Sequence, residues 1–131
     1  MIKTEIRYIE LMNGYNHDGP AWIAKVKLSK SGKTIYFNNK GLKKYPNTKA
    51  EYYDIETGEE YWISNVKKNT TDRHWAGSGK IMIDKSIIEE YQKIIGMNIR
   101  NNKSYDIIEI PEVYPIERIN RIENGITNIK S

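Results

Sequence analysis

Ala21-Trp22-Ile23-Ala24-Lys25-Val26-Lys27-Leu28, then Ser29-Lys30-Ser31-Gly32, then Lys33-Thr34-Ile35-Tyr36-Phe37 is the stretch on which the fold turns. Trp22, Ala24, Val26 and Leu28 fall on one parity, and Ile23, Lys25 and Lys27 on the other, which is the pattern of a half-buried strand. Four polar residues ending in glycine make a tight connection, and Ile35 with Phe37 resumes the alternation against Thr34 and Tyr36. The stretch is therefore read as a β-hairpin whose outer face carries lysines.

Outward from it, the chain keeps the same grammar. Residues 3 to 12 read as a strand with a bulge or face change near Tyr8. The turn-rich Asn13-Gly14-Tyr15-Asn16-His17-Asp18-Gly19-Pro20 ends it. Residues 38 to 50 show no period, contain Gly41 and Pro46, and are expected to be a mobile basic loop. Glu51 to Ile55 and Glu59 to Val66 are two aromatic-rich runs joined through Glu56-Thr57-Gly58, so a second hairpin is expected with Gly58 left-handed. Lys80 to Asp84 reads as a last short strand. A helix follows, with Ser86 and Glu89 spaced as a capping box, an apolar stripe of Ile87, Ile88, Tyr91, Ile94 and Ile95, and Gly96 as its stop.

Five or six short strands joined by hairpins, with one terminal helix, imply a mainly β fold: a small partly open barrel, SH3-like or alternatively OB-like. At 131 residues and 15.4 kDa the chain fits one core. Residues 1–96 are expected to form the barrel and helix. Residues 97–131 are expected to be an extension that packs on the core or on a partner, with an edge strand at 105–110 and a short amphipathic helix built on Ile116, Ile119 and Ile122.

The chain has no cysteine, which excludes disulfides, thiolate metal sites and cysteine nucleophiles. No long apolar run is present and residues 1–5 lack a secretion-type core, so a cytoplasmic protein that does not enter a membrane is expected. Net charge is +4. Its placement says more than its size: between Asp18 and Glu51 there is no acidic residue, while Lys25, Lys27, Lys30, Lys33, Lys40, Lys43, Lys44 and Lys49 all fall there. A lysine-biased genome would supply the lysines but would not remove the acids. Beyond Gly96, five basic residues balance five acidic ones.

The densest chemistry is Asp72-Arg73-His74-Trp75-Ala76-Gly77-Ser78-Gly79. It admits two readings: a loop that holds an anion through Arg73 and His74 while Trp75 stacks on a base, or a loop whose Trp75 plugs the barrel. His17 and His74 could act as an acid–base pair for RNA cleavage only if the fold brings them together. No metal-ligand spacing is present, and no cofactor is expected.

Residues 6 to 96, through Gly19-Pro20-Ala21-Trp22-Ile23, Lys30-Ser31-Gly32-Lys33-Thr34, Tyr53-Asp54-Ile55-Glu56-Thr57-Gly58-Glu59-Glu60-Tyr61-Trp62 and the Asp72–Gly79 octet, resemble a family of small bacterial proteins of unknown function. Some of its members carry the label 1-deoxy-D-xylulose-5-phosphate synthase. That enzyme is far larger and holds thiamine diphosphate through a Gly-Asp-Gly motif with a downstream Asn, whereas this chain offers only Asp18-Gly19 preceded by His17. The resemblance implies no catalytic residue, and the extension lies outside it.

These readings converge on a non-catalytic module that binds RNA or single-stranded DNA through Trp22, Lys25, Lys27, Lys30, Lys33 and Tyr36, with Arg73, His74 and Trp75 as a second contact. A protein-interaction domain is the alternative from another class, and a small metal-independent nuclease the third.

Overall fold

The computed structural model describes residues 3–12, 20–66, 80–99 and 105–125. The strands are β1 (Lys3–Leu11), β2 (Ala21–Leu28), β3 (Thr34–Phe37), β4 (Lys40–Lys44), β5 (Glu51–Asp54), β6 (Glu60–Asn65), β7 (Ile81–Asp84) and β8 (Tyr105–Ile108). A short 3-10 turn, Lys85–Ile87, leads into α1 (Ile88–Ile95), and α2 (Ile116–Glu123) closes the described chain. The octet 72–79 and His17 lie outside the described residues, and with them the second contact and the nuclease geometry.

Strands β2 to β6 form an antiparallel meander, and β1 pairs with both of its ends. The expected small barrel is therefore closed rather than partly open. Closure follows from the length of β1, whose Lys3 to Glu10 pair with β2 on one side while Arg7 to Leu11 pair with β6 on the other. Strand β2 serves three partners: all along one edge it holds β1, and on the other it holds β7 at Ala21–Ile23 and β3 at Lys27–Leu28. Strand β8 then extends the sheet in parallel with β7.

The alternation in β2 now has a spatial meaning. Ala24 and Val26 point into the barrel with Ile9, Ile35, Phe37, Leu42, Tyr52, Tyr61 and Ile63. Ala21 and Ile23, on the other parity, are buried outside the barrel with Tyr8, Ile81, Ile83, Ile87, Ile88 and Tyr91. The second cluster exists because β7 and α1 lie against the barrel wall there, and Tyr105 of β8 joins it, its hydroxyl 2.9 Å from that of Tyr91. Farther along β2 the outer parity carries Lys25 and Lys27, past the reach of that second core.

The hairpin at 51–65 forms as expected, with Gly58 at φ 82°. Buried Asp54 holds the turn: its Oδ1 accepts from the backbone N–H of Glu56 at 2.8 Å and of Thr57 at 3.3 Å. Two expectations are corrected. Residues 38–50 are not a loop throughout, because Lys40–Lys44 forms β4, paired with both β3 and β5. Asn38 (φ 48°) and Asn39 (φ 63°) make the two-residue connection to β3, a conformation asparagine tolerates far better than most residues. The helix is also not capped by Ser86; Asp84 accepts from the Ser86 N–H at 3.1 Å, and α1 begins one turn later. The stop at Gly96 is as expected, its N–H bonded to the Gln92 carbonyl.

Candidate nucleic-acid interface

Register places the basic residues. Directly opposed residues of an antiparallel pair project from the same face. Lys27 lies opposite Tyr36, and Tyr36 opposite Gly41, so these three form one row across the outside of β2, β3 and β4. Thr34, Lys43 and Tyr53 form the next row across β3, β4 and β5. The acid-free interval thus folds into three adjacent strands and their connections, with Lys27 and Lys43 on the outer rows and Lys40 and Lys44 on the parity of Leu42, at the two ends of β4.

At the end of β4 lies a cavity of about 400 Å3 whose lining includes Lys33, Lys43, Lys44, Tyr45, Thr48 and Tyr53. The walls are tied by backbone bonds: Lys44 N–H donates to the Lys33 carbonyl at 2.9 Å, and Tyr45 N–H to Glu51 at 3.0 Å. Thr48 Oγ1 donates to the Tyr45 carbonyl at 3.1 Å. Two tyrosine rings, Tyr45 and Tyr53, stand 4.8 Å apart at 41°. Tyr45 donates its hydroxyl to Glu60 at 2.9 Å, and that bond, ahead of all other causes, raises its pKa. Three ammonium groups beside a pair of aromatic rings can take a phosphate and a stacked base together.

Each residue singled out in the sequence has a definite place or lies outside the described region. Lys30 and Lys33 are exposed in the β2–β3 connection. Lys25 and Lys27 are half-buried, the Lys27 Nζ sitting 5.0 Å from the centroid of the Tyr114 ring. Trp22 leans into the barrel against Phe37, with ring centroids 5.6 Å apart. Tyr36 is 2% exposed. Trp22 packs on Phe37 and Tyr36 is covered, while Tyr45 and Tyr53 are the aromatic rings that line the cavity. Arg73, His74 and Trp75 are outside the described residues.

Tyr36 is covered because the extension lies across its row. A Cβ placed on Gly41 would come within 2.6 Å of Ile119 Cγ1, so α2 rests directly on β4 there, and Ile119 is fully buried. Burial, and secondarily the Glu123 carboxylate, raise the Tyr36 pKa. Glu123 accepts from Lys43 Nζ at 2.8 Å, a contact that raises the Lys43 pKa and keeps it charged. Arg118 forks onto Glu56, with Nε to Oε2 and Nη2 to Oε1 both at 2.9 Å, and its Nη2 also donates to the Asn39 carbonyl at 2.8 Å. Asn39 N–H donates to Val113 at 2.8 Å.

Among the described residues no carboxylate of the acidic hairpin forms an ion pair with a lysine of the 19–50 interval, although Glu60 accepts the Tyr45 hydroxyl at the cavity. Among the described residues, the one ion pair that involves a lysine of the 19–50 interval is Lys43–Glu123, and Glu56 is paired to Arg118 instead. A larger cavity, about 590 Å3, lies between β7 and the segment after β8, but it is lined by Asp84, Glu109 and Glu112 and has the wrong sign for an anion. Among the described residues no group of three or more histidine and carboxylate side chains could hold a metal ion. Nor is any helix among them long and apolar enough to cross a membrane.

The sequence reading missed Lys43, Lys44, Tyr45 and Tyr53 as one site. The signal was Asn38-Asn39: read as a two-residue turn, it would have made Lys40–Lys44 a strand and set Lys43 beside Tyr53. No protein-family model, no curated protein and no solved structure matches the chain.

Proposed function

We propose that this chain is a non-catalytic module that binds single-stranded RNA or DNA, with the cavity at Lys33, Lys43, Lys44, Tyr45 and Tyr53 as its anchor and Lys30 on the path of the strand. The observation that carries this reading is the cavity's make-up: three lysines beside two tyrosine rings tilted 41° to each other, with every one of these residues except Tyr53 drawn from the interval that holds no carboxylate from residue 19 to 50. Charge tracks phosphates without regard to sequence, and a ring face accepts any base, so the predicted specificity is for strandedness. The family resemblance adds no catalytic residue to this reading.

Fluorescence anisotropy with labelled single-stranded oligonucleotides tests it. Three phosphate contacts give a slope of roughly 2 in log K against log salt, so affinity falls about 16-fold between 50 and 200 mM salt. K33E with K44E abolishes binding while the circular dichroism spectrum stays that of the parent. Absent or salt-insensitive binding refutes the proposal.

A second reading, a protein-docking module, is favoured by one feature. Strand β8 pairs only with β7 among the described residues, and exposed Ile107 lies on it, with Met97 and Val113 also exposed. An added strand from a partner would pair with the outer side of β8 and leave the lysines unaffected.

A further inference from the structure

We propose that α2 carries a built-in competitor for the cavity: Glu123 occupies, on Lys43, the place that a phosphate of the bound strand takes. The inference rests on the nucleic-acid reading of that cavity. Lys43 lines the cavity and is also the lysine that Glu123 holds at 2.8 Å. A carboxylate and a phosphodiester each accept a charge-assisted hydrogen bond from an ammonium, and two anions brought to the same Lys43 Nζ repel each other, so each weakens the other's hold. Lys33 and Lys44 stand ready, so an arriving strand meets two available ammonium groups and must displace Glu123 to gain the third.

The rest of the extension repeats the same imitation one row away. The Tyr114 ring sits over Lys27, as a base or an aromatic would, and its hydroxyl lies 3.4 Å from the Lys25 carbonyl. Helix α2 is retained when Glu123 lets go, since Ile119 is buried against Gly41 and Arg118 is forked onto Glu56. The exchange is thus a side-chain substitution on a helix that stays docked. It makes affinity depend on the extension without requiring that the extension unfold.

The Lys43–Glu123 pair is partly exposed, its side chains 40% and 27% accessible, so the competition is modest. Replacing Glu123 with Gln in the full chain is expected to tighten binding of a labelled oligo(dT) or oligo(rU) about two- to fivefold at low salt, the range of a solvent-screened pair. The salt slope steepens by up to about 0.7, because E123Q leaves wholly to phosphate the Lys43 contact that the parent shares with Glu123. E117Q is the control: it removes the same charge from an exposed position of the same helix without touching Lys43. Equal affinity and slope in E123Q and the parent overturn the competition, as does an equal gain in E117Q, which would mean that net charge alone is responsible. If neither the parent nor E123Q binds any oligonucleotide, the nucleic-acid reading itself fails and this inference falls with it.

Discussion

Gly41 is where the seat of α2 on the barrel can be tested by adding a single carbon. Its Cβ position lies 2.6 Å from Ile119 Cγ1, 2.8 Å from Cδ1 and 3.2 Å from Cγ2, so Gly41→Ala cannot be accommodated unless Ile119 or the whole helix moves. Forcing an extra carbon into a packed contact costs about 1 to 3 kcal/mol. Alanine in the middle of a strand is by itself better than glycine by about 0.5 to 1 kcal/mol, since less backbone entropy is lost on folding. The net expectation for G41A is a loss of up to about 2.5 kcal/mol, read from urea denaturation, with faster amide exchange concentrated in 116–123. Ile119→Ala alone removes a fully buried side chain and costs about 2 to 5 kcal/mol. In the double variant the alanine at 41 enters vacated space, its clash disappears, and only the strand gain remains. The cycle should therefore show a favourable coupling equal to the relieved clash, about 1 to 3 kcal/mol. Additive effects of the two substitutions, or a G41A protein as stable as the parent with unchanged exchange in α2, would refute the seating of Ile119 on β4.

Two further expectations follow from local geometry. Asn38→Gly should leave stability unchanged or raise it by a few tenths of a kcal/mol, while Asn38→Val should lower it by about 1 to 2 kcal/mol, because φ 48° is costly for a β-branched residue; thermal denaturation of both variants distinguishes them. Burial pushes the Tyr61 pKa up to about 12, with Glu59 and Asp54 adding to it. The unfolded tyrosine gives up its proton near 10, the folded one about two units later, so the stabilisation is fully present below pH 10 and is lost as pH rises from 10 to 12. The loss is on the order of 2 to 3 kcal/mol. Tyr61→Phe should remove that part of the alkaline decline, and ultraviolet difference titration at 295 nm should show a tyrosinate that appears only near pH 12; a Tyr61 that ionises with the exposed tyrosines contradicts the burial.

The barrel was legible because the core-facing residues of β2, β3, β5 and β6 are apolar and fall on one parity, even though the outer parity is also buried in β3 and at the start of β2. That pattern failed in β4 for a physical reason. Of its five residues only Leu42 points into the barrel core, and the outer row there is Gly41 and Lys43, since α2 supplies the apolar contact that a larger side chain at 41 would otherwise make. A strand whose packing partner comes from residue 119 has no local hydrophobic signature. The same absence hid the site. Lys43, Tyr45 and Tyr53 meet only when β4 exists, whereas Trp22 and Tyr36 looked exposed because nothing in their neighbourhood announces Phe37 across the barrel or α2 across the sheet. The capping box failed on a one-turn shift: Asp84, buried at the end of β7, reached the Ser86 amide first.

What docks α2 and what orients it are separable. Complete burial of Ile119 is worth about 1.5 to 3 kcal/mol, while each exposed ion pair contributes about 0.2 to 1 kcal/mol. The apolar contact therefore holds the helix, and the charges choose its direction. Arg118, near its start, meets Glu56 of the acidic β5–β6 turn; Glu123, at its end, meets Lys43 on the basic side. Reversed, the helix would bring Arg118 toward the lysines and Glu123 toward Glu56, two like-charge meetings in place of two opposite ones. Helix α2 is thus laid from Glu56 of the β5–β6 turn to Lys43 of β4, with a carboxylate delivered to one cavity lysine. Because that carboxylate adds little to the docking energy, releasing it costs the fold little, and the lysine it holds remains available to any anion that competes for it.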